Sequence, residues 1–98
     1  MARTATQASA ATGSYAYAFQ ATVNGGSDGS PMRAVYIECD EDSTNSLLVK
    51  VDPVDEGSAV TLLAGQSRAI SCGDTRAIVS IQVQGSGGTA TYTFWPMG

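Results

Sequence analysis

From residue 14 onward, hydrophobic and polar positions alternate with a period of two. In SYAYAFQATV, Tyr15, Tyr17, Phe19, Ala21 and Val23 fall on one face and Ala16, Ala18, Gln20 and Thr22 on the other, the spacing of a strand with one covered side. NGGSDGSP, over 24–31, consists almost wholly of turn residues. RAVYIEC follows, with Val35, Ile37 and Cys39 sharing a face and Tyr36 and Glu38 pointing away. SLLVKV then places Leu47, Val49 and Val51 inward and Lys50 outward. DPVDEGS is a further turn, whose proline cannot donate to a central ladder. AVTLL and SRAIS are short strands. RAIVSIQVQ sets Val79, Ile81 and Val83 in register, with Ile78 on the reverse face. GSGG, over 85–88, reads as a hairpin turn into TATYTFW, where Ala90, Tyr92 and Phe94 align, and Pro96 and Gly98 close the pattern.

Seven such segments at spacings near 8 to 12 residues predict an all-β domain, a single β-sandwich of Ig-like or jelly-roll-like arrangement over 14–98. No segment has a 3.6-residue period. The opening MARTATQASAATG, over 1–13, is built of small and polar residues. It has no apolar stripe to bury as a helix, and a short isolated helix is marginal in water, so it is expected to be an extended N-terminal arm. Thirteen extended residues reach about 43 Å at roughly 3.3 Å each. Small side chains let such a segment lie close against a neighbouring chain, which makes Met1, Arg3, Thr4, Thr6, Gln7, Ser9 and Thr12 the candidate partner-binding residues.

The chain has 98 residues, room for one modest core. Only 14% of the residues are charged, below the roughly 25% usual in soluble domains, which suits a subunit covered by other protein. Five basic and nine acidic residues give a net charge of −4, and Arg3, Arg33, Lys50, Arg68 and Arg76 are scattered singly. Nucleic-acid binding, which needs clustered cations, is therefore not expected. No apolar run approaches a membrane span, and the N-terminus lacks the apolar core of a secretory signal. The expectation is a chain made in a cytoplasm, with no membrane partner.

The densest chemistry is ECDEDSTN, with Glu38, Asp40, Glu41 and Asp42, followed later by Asp52, Asp55 and Glu56. Asp40, Asp42 and Thr44 have the spacing of the first half of an EF-hand loop, but Asn45 stands where the turn glycine belongs and Val51 where the bidentate glutamate belongs. A solvated acidic hairpin loop is the simpler reading, with a calcium site of another kind as an alternative. Paired carboxylates for glycosidic chemistry need a cleft and one raised pKa. A charge-rich turn keeps all of its carboxylates ionised, so no enzyme and no cofactor are expected. The chain has no histidine, which excludes a cysteine–histidine catalytic pair and a mixed cysteine–histidine zinc site. Cys39 and Cys72 read as small buried side chains, with a disulfide as the alternative. The glycines of GSGGT lead into a strand rather than a helix, so they do not form a phosphate loop. Tyr36, Trp95 and an outward tyrosine remain candidates for stacking a sugar ring.

A short acidic β-domain with a small-residue arm, no catalytic constellation and the closing layout LLAGQSRAIS, CGDT, RAIVSIQVQGSGGTATYTFW resembles the small structural proteins of tailed-phage virions, among them head decoration or cement proteins. The resemblance is one of layout across most of the chain. It implies a non-enzymatic virion protein of the capsid surface, oligomeric on the shell, partnered by the major capsid protein or other virion subunits and held through its arm. A tail or neck component of the same virion, and a sugar- or calcium-binding β-module, are the alternatives.

Overall fold

The computed structural model describes residues 6–55, 58–72 and 77–97. Among them are eight strands: β1 Thr6–Ala10, β2 Ala16–Gln20, β3 Ala34–Cys39, β4 Ser46–Asp52, β5 Val60–Leu62, β6 Ser67–Ser71, β7 Ser80–Ser86 and β8 Ala90–Met97. They form two four-stranded antiparallel sheets packed as a β-sandwich, one ordered β1-β8-β3-β6 and the other β2-β7-β4-β5. The all-β sandwich expected from the alternation is therefore the fold.

The predicted inward positions meet between the layers. Val35, Ile37 and Cys39 of β3 and Ala90, Tyr92 and Phe94 of β8 face Leu47, Val49 and Val51 of β4 and Ile81 and Val83 of β7, all buried. At one end the space between the sheets is closed by Ala21, Met32 and Ile78, each 0% exposed. Met32 and Ile78 exchange backbone hydrogen bonds of 3.1 and 2.7 Å. Ile78 is thus a core residue rather than a reverse-face one, because the segment before β7 bends across the end of the sandwich to pair with Met32.

Other expectations are corrected in detail. The alternation predicts Tyr17 and Phe19 on one face, yet Phe19 is buried and Tyr17 is 50% exposed. The register of β2 on β7 shifts between them, from Tyr17 opposite Gln82 to Phe19 opposite Ile81. The extra residue, Ala18, is a bulge that flips the phase of the alternation. Val23 is not in a strand. It lies in the 3-10 turn Thr22–Asn24 and is 75% exposed. Pro96 does not end the last strand, since β8 continues to Met97 with Pro96 opposite Val35.

Contrary to the hairpins that their sequences predict, neither the glycine-rich 85–88 turn nor the acidic 40–45 loop is one. Each carries the chain from one sheet to the other, β7 to β8 and β3 to β4. They lie together at one end of the sandwich. Asn45 Nδ2 donates to the Thr89 carbonyl at 3.0 Å, and the Thr91 N–H donates to Ser43 Oγ at 3.1 Å. Among the described strands, only β4 and β5 are both consecutive in the chain and neighbours in one sheet.

The arm expected over 1–13 is, from Thr6 on, part of the sandwich. It is extended, as anticipated, but it pairs with β8 of its own domain, Thr6 opposite Phe94 through Ala10 opposite Ala90. Ala10 is buried in the core and Ala8 packs against it. Residues 11–12 then cross to the second sheet, where Thr12 bridges Gly85 and the Gly85 N–H donates to the Ala11 carbonyl at 3.0 Å.

Cys39 and Cys72 are both free. Cys39 ends β3 opposite Tyr92, whereas the Cys72 N–H bonds the Arg33 carbonyl just before β3 begins. The length of β3 separates them, about 20 Å at roughly 3.3 Å per residue, far beyond disulfide reach. Cys39 is buried and Cys72 partly so. The expected result of thiol titration is two reactive thiols on unfolding, with Cys72 alkylated first in the native protein. A reading of no free thiol in the denatured chain would contradict it.

Candidate functional site

The residues singled out by sequence fall into three places, and cross-strand register adds a fourth. The first is the N-terminal strand. Thr6, Gln7 and Ser9 are exposed on β1, at the edge of its sheet, and Thr12 is exposed beside Gly85. Met1, Arg3 and Thr4 lie outside the described residues. Gln7 is fastened from its side chain: Gln7 Nε2 donates to Asp40 Oδ2 at 3.0 Å, and Thr93 Oγ1 donates to Asp40 Oδ1 at 2.9 Å. The Asp40 N–H in turn donates to the Thr91 carbonyl at 3.0 Å. One buried carboxylate thus ties β1, β8 and the end of β3 together.

The second place is the pair of acidic loops. Asp40 is occupied as just described, and Asp55 is bound by Arg68, Nη1 to Oδ2 at 2.8 Å and Nη2 to Oδ1 at 2.5 Å, while Oδ2 also accepts the Val51 N–H at 2.7 Å. Neither carboxylate is a solvated loop group. Both are structural, and among the described residues no three His, Cys, Asp or Glu side chains gather as a metal site. Glu56 lies outside the described residues. The Cys39 thiol, which ends β3 beside Asp40, has its pKa raised. Burial is the main cause, and the negative charges of Asp40 and Glu38 add to it. Hydrogen bonds involving Ser43 and the Leu47 backbone offset part of the rise. The raised pKa disfavours the thiolate a nucleophile would need.

Third are the aromatics. Tyr36 and Trp95 are directly opposite on β3 and β8, their rings 5.1 Å apart and tilted by 59°. They pack against each other on the outer face of the first sheet and offer no flat platform. The outward tyrosines are on the other side of the molecule. Tyr15 receives Lys50 Nζ over its ring at 3.9 Å, a cation–π contact, and Tyr17 stands beside Gln82. The structure therefore does not bring Tyr36, Trp95 and an outward tyrosine into one sugar-stacking surface.

The fourth place has no counterpart in a sequence motif. On the outer face of the second sheet, a hollow of about 250 Å³ is lined by Tyr17, Asn24, Lys50, Val51, Asp52, Ser80 and Gln82. Three strands and the 3-10 turn build it: Tyr17 on β2 lies opposite Gln82 on β7, Gln82 opposite Lys50 on β4, and Ser80 opposite Asp52. Asn24, held through its carbonyl by Gln20 Nε2 at 2.9 Å, belongs to the turn that follows β2. A cavity of this kind is assembled by cross-strand register, so it is invisible to spacing along the chain.

Comparison with known proteins finds no matching family model, no matching characterised protein and no matching solved structure.

Proposed function

We propose that the protein is a non-enzymatic structural subunit of a virion, a capsid decoration protein that binds and stabilises the assembled phage head. The observation that carries this reading is β1. It is an edge strand of small and polar residues, TQASA, and its outer side has no strand partner among the described residues. Exposed strand edges pair readily with another chain. A shell or a neighbouring copy adding a strand at that edge would meet Thr6, Gln7 and Ser9, which are exposed on β1. Supporting this, Asp40 and Asp55 are engaged in holding strands together. A subunit that binds the assembled lattice better than the loose one stabilises it by mass action, through contacts multiplied over many copies.

Deleting residues 1–13 would remove a core strand, so the test uses charge. Lysine at Thr6 and Ser9, both exposed, blocks edge pairing and leaves the β8 side intact. The expected result is that wild-type protein forms a discrete oligomer or co-sediments with the shells of its virion, whereas T6K/S9K melts normally and does neither. A wild-type monomer that ignores shells, or a variant that assembles as well as wild type, would overturn the reading.

A further inference from the structure

We propose that the hollow on the outer face of the β2-β7-β4-β5 sheet binds a neutral pyranose, the terminal residue of a glycan. Its size sets the first limit. About 250 Å³ is below the roughly 300–1,000 Å³ of pockets that enclose drug-sized ligands, and it suits a single ring held at one end.

The lining sets the chemistry. Lys50 supplies only donors and Asp52 only acceptors, whereas Asn24, Gln82 and Ser80 supply both. Each sugar hydroxyl is itself a donor and an acceptor, so a polyhydroxylated ring can answer every one of these groups. A charged ligand cannot do so, because an anion faces Asp52 and a cation faces Lys50. Tyr17 adds the one aromatic surface. Its ring is half exposed because the bulge at Ala18 turns it away from the core that Phe19 enters. That exposed face is available to the C–H side of a pyranose, where apolar burial and the ring's negative face both favour contact. Lys50 is pre-positioned, its ammonium resting over Tyr15, which lowers the entropy cost of using it. The site stands apart from β1, so its failure leaves the assembly reading untouched.

The experiment is a ¹H–¹⁵N NMR titration of the intact protein with glucose, galactose and mannose, their methyl glycosides, glucuronate and glucosamine. A neutral hexose is expected to shift the side-chain amides of Asn24 and Gln82 and the backbone amides of Tyr17 and Lys50, with millimolar affinity. Methyl glycosides should match the free sugars, and the charged sugars should bind at least tenfold more weakly. Tyr17→Ala, at an exposed position, should weaken binding tenfold or more, and Gln82→Leu provides an independent variant. Four results would each overturn the proposal: no shifts up to tens of millimolar, shifts confined to Tyr36 and Trp95, tighter binding of a charged sugar, or exclusion of the methyl glycosides.

Discussion

Replacing Asp55 with alanine is expected to lower the unfolding free energy by about 3 kcal/mol, read from urea melts. Asp55 sits in the connection from β4 to β5, in one sheet, and Arg68 in β6, in the other, so their paired hydrogen bonds clamp the two layers. The side chains are only 7% and 19% exposed, and the alanine variant would leave a guanidinium and the Val51 N–H without their acceptor. Asp55→Asn, which keeps an acceptor, should lose less. The pair also gives stability an acid limb. Burial pushes the Asp55 carboxyl up, but the Arg68 hydrogen bonds, the Val51 N–H and the Arg68 charge together outweigh it, so the folded pKa lies below the ordinary 3.8. A carboxyl whose pKa is depressed on folding contributes stability that is complete above the unfolded value and lost as pH falls through the folded one. The stability gap between wild type and D55N should therefore be widest near neutrality and narrow below about pH 4. A gap that is constant with pH would show the carboxylate's charge to be irrelevant.

Gly85→Ala is expected to cost about 2–3 kcal/mol and to loosen the N-terminal strand selectively. A Cβ at this position would lie 2.0 Å from the Gly88 carbonyl oxygen, 2.8 Å from that of Ala10 and 2.9 Å from the Ala90 nitrogen. All three are backbone atoms, so no side-chain rotation relieves the overlap. Gly85 is also where the chain leaving β1 meets the second sheet, through Thr12 and the Ala11 carbonyl. Hydrogen exchange should accelerate at Gly85 and along β1 well before it does in β3 or β4. Uniform acceleration across both sheets would mean that the close approach is not localised at this crossing.

The core of this fold is legible in the chain wherever alternation is unbroken. Val35, Ile37 and Cys39, then Leu47, Val49 and Val51, then Ala90, Tyr92 and Phe94 all lie inside as their spacing predicts. It becomes illegible where one residue changes the phase, as Ala18 does, or where a segment is inward for reasons of position, as Met32 and Ile78 are. β1 escapes because its inward residues are Ala8 and Ala10, too small to mark a hydrophobic face. Its strand character comes from β8, some eighty residues away. Asp40 and Asp55 look solvated for the same reason. Their partners Gln7, Thr93 and Arg68 lie 33, 53 and 13 residues off. The hollow draws Tyr17, Lys50 and Gln82 from three strands, a grouping that only the register of the sheet creates.

The alternation of the chain between layers has a kinetic consequence. Because only β4 and β5 form a local hairpin among the described strands, little structure can nucleate early, and the cost of closing long loops comes before most contacts can offset it. β8 comes last in chain order among the described strands yet lies between β1 and β3 in the middle of its sheet. Until β8 arrives, β1 has no partner and β3 has one open edge. Folding should therefore be a late, all-or-none event on the millisecond-to-second scale typical of sandwiches. A nascent or clipped chain that stops short of Ala90 would display unpaired edges to its neighbours.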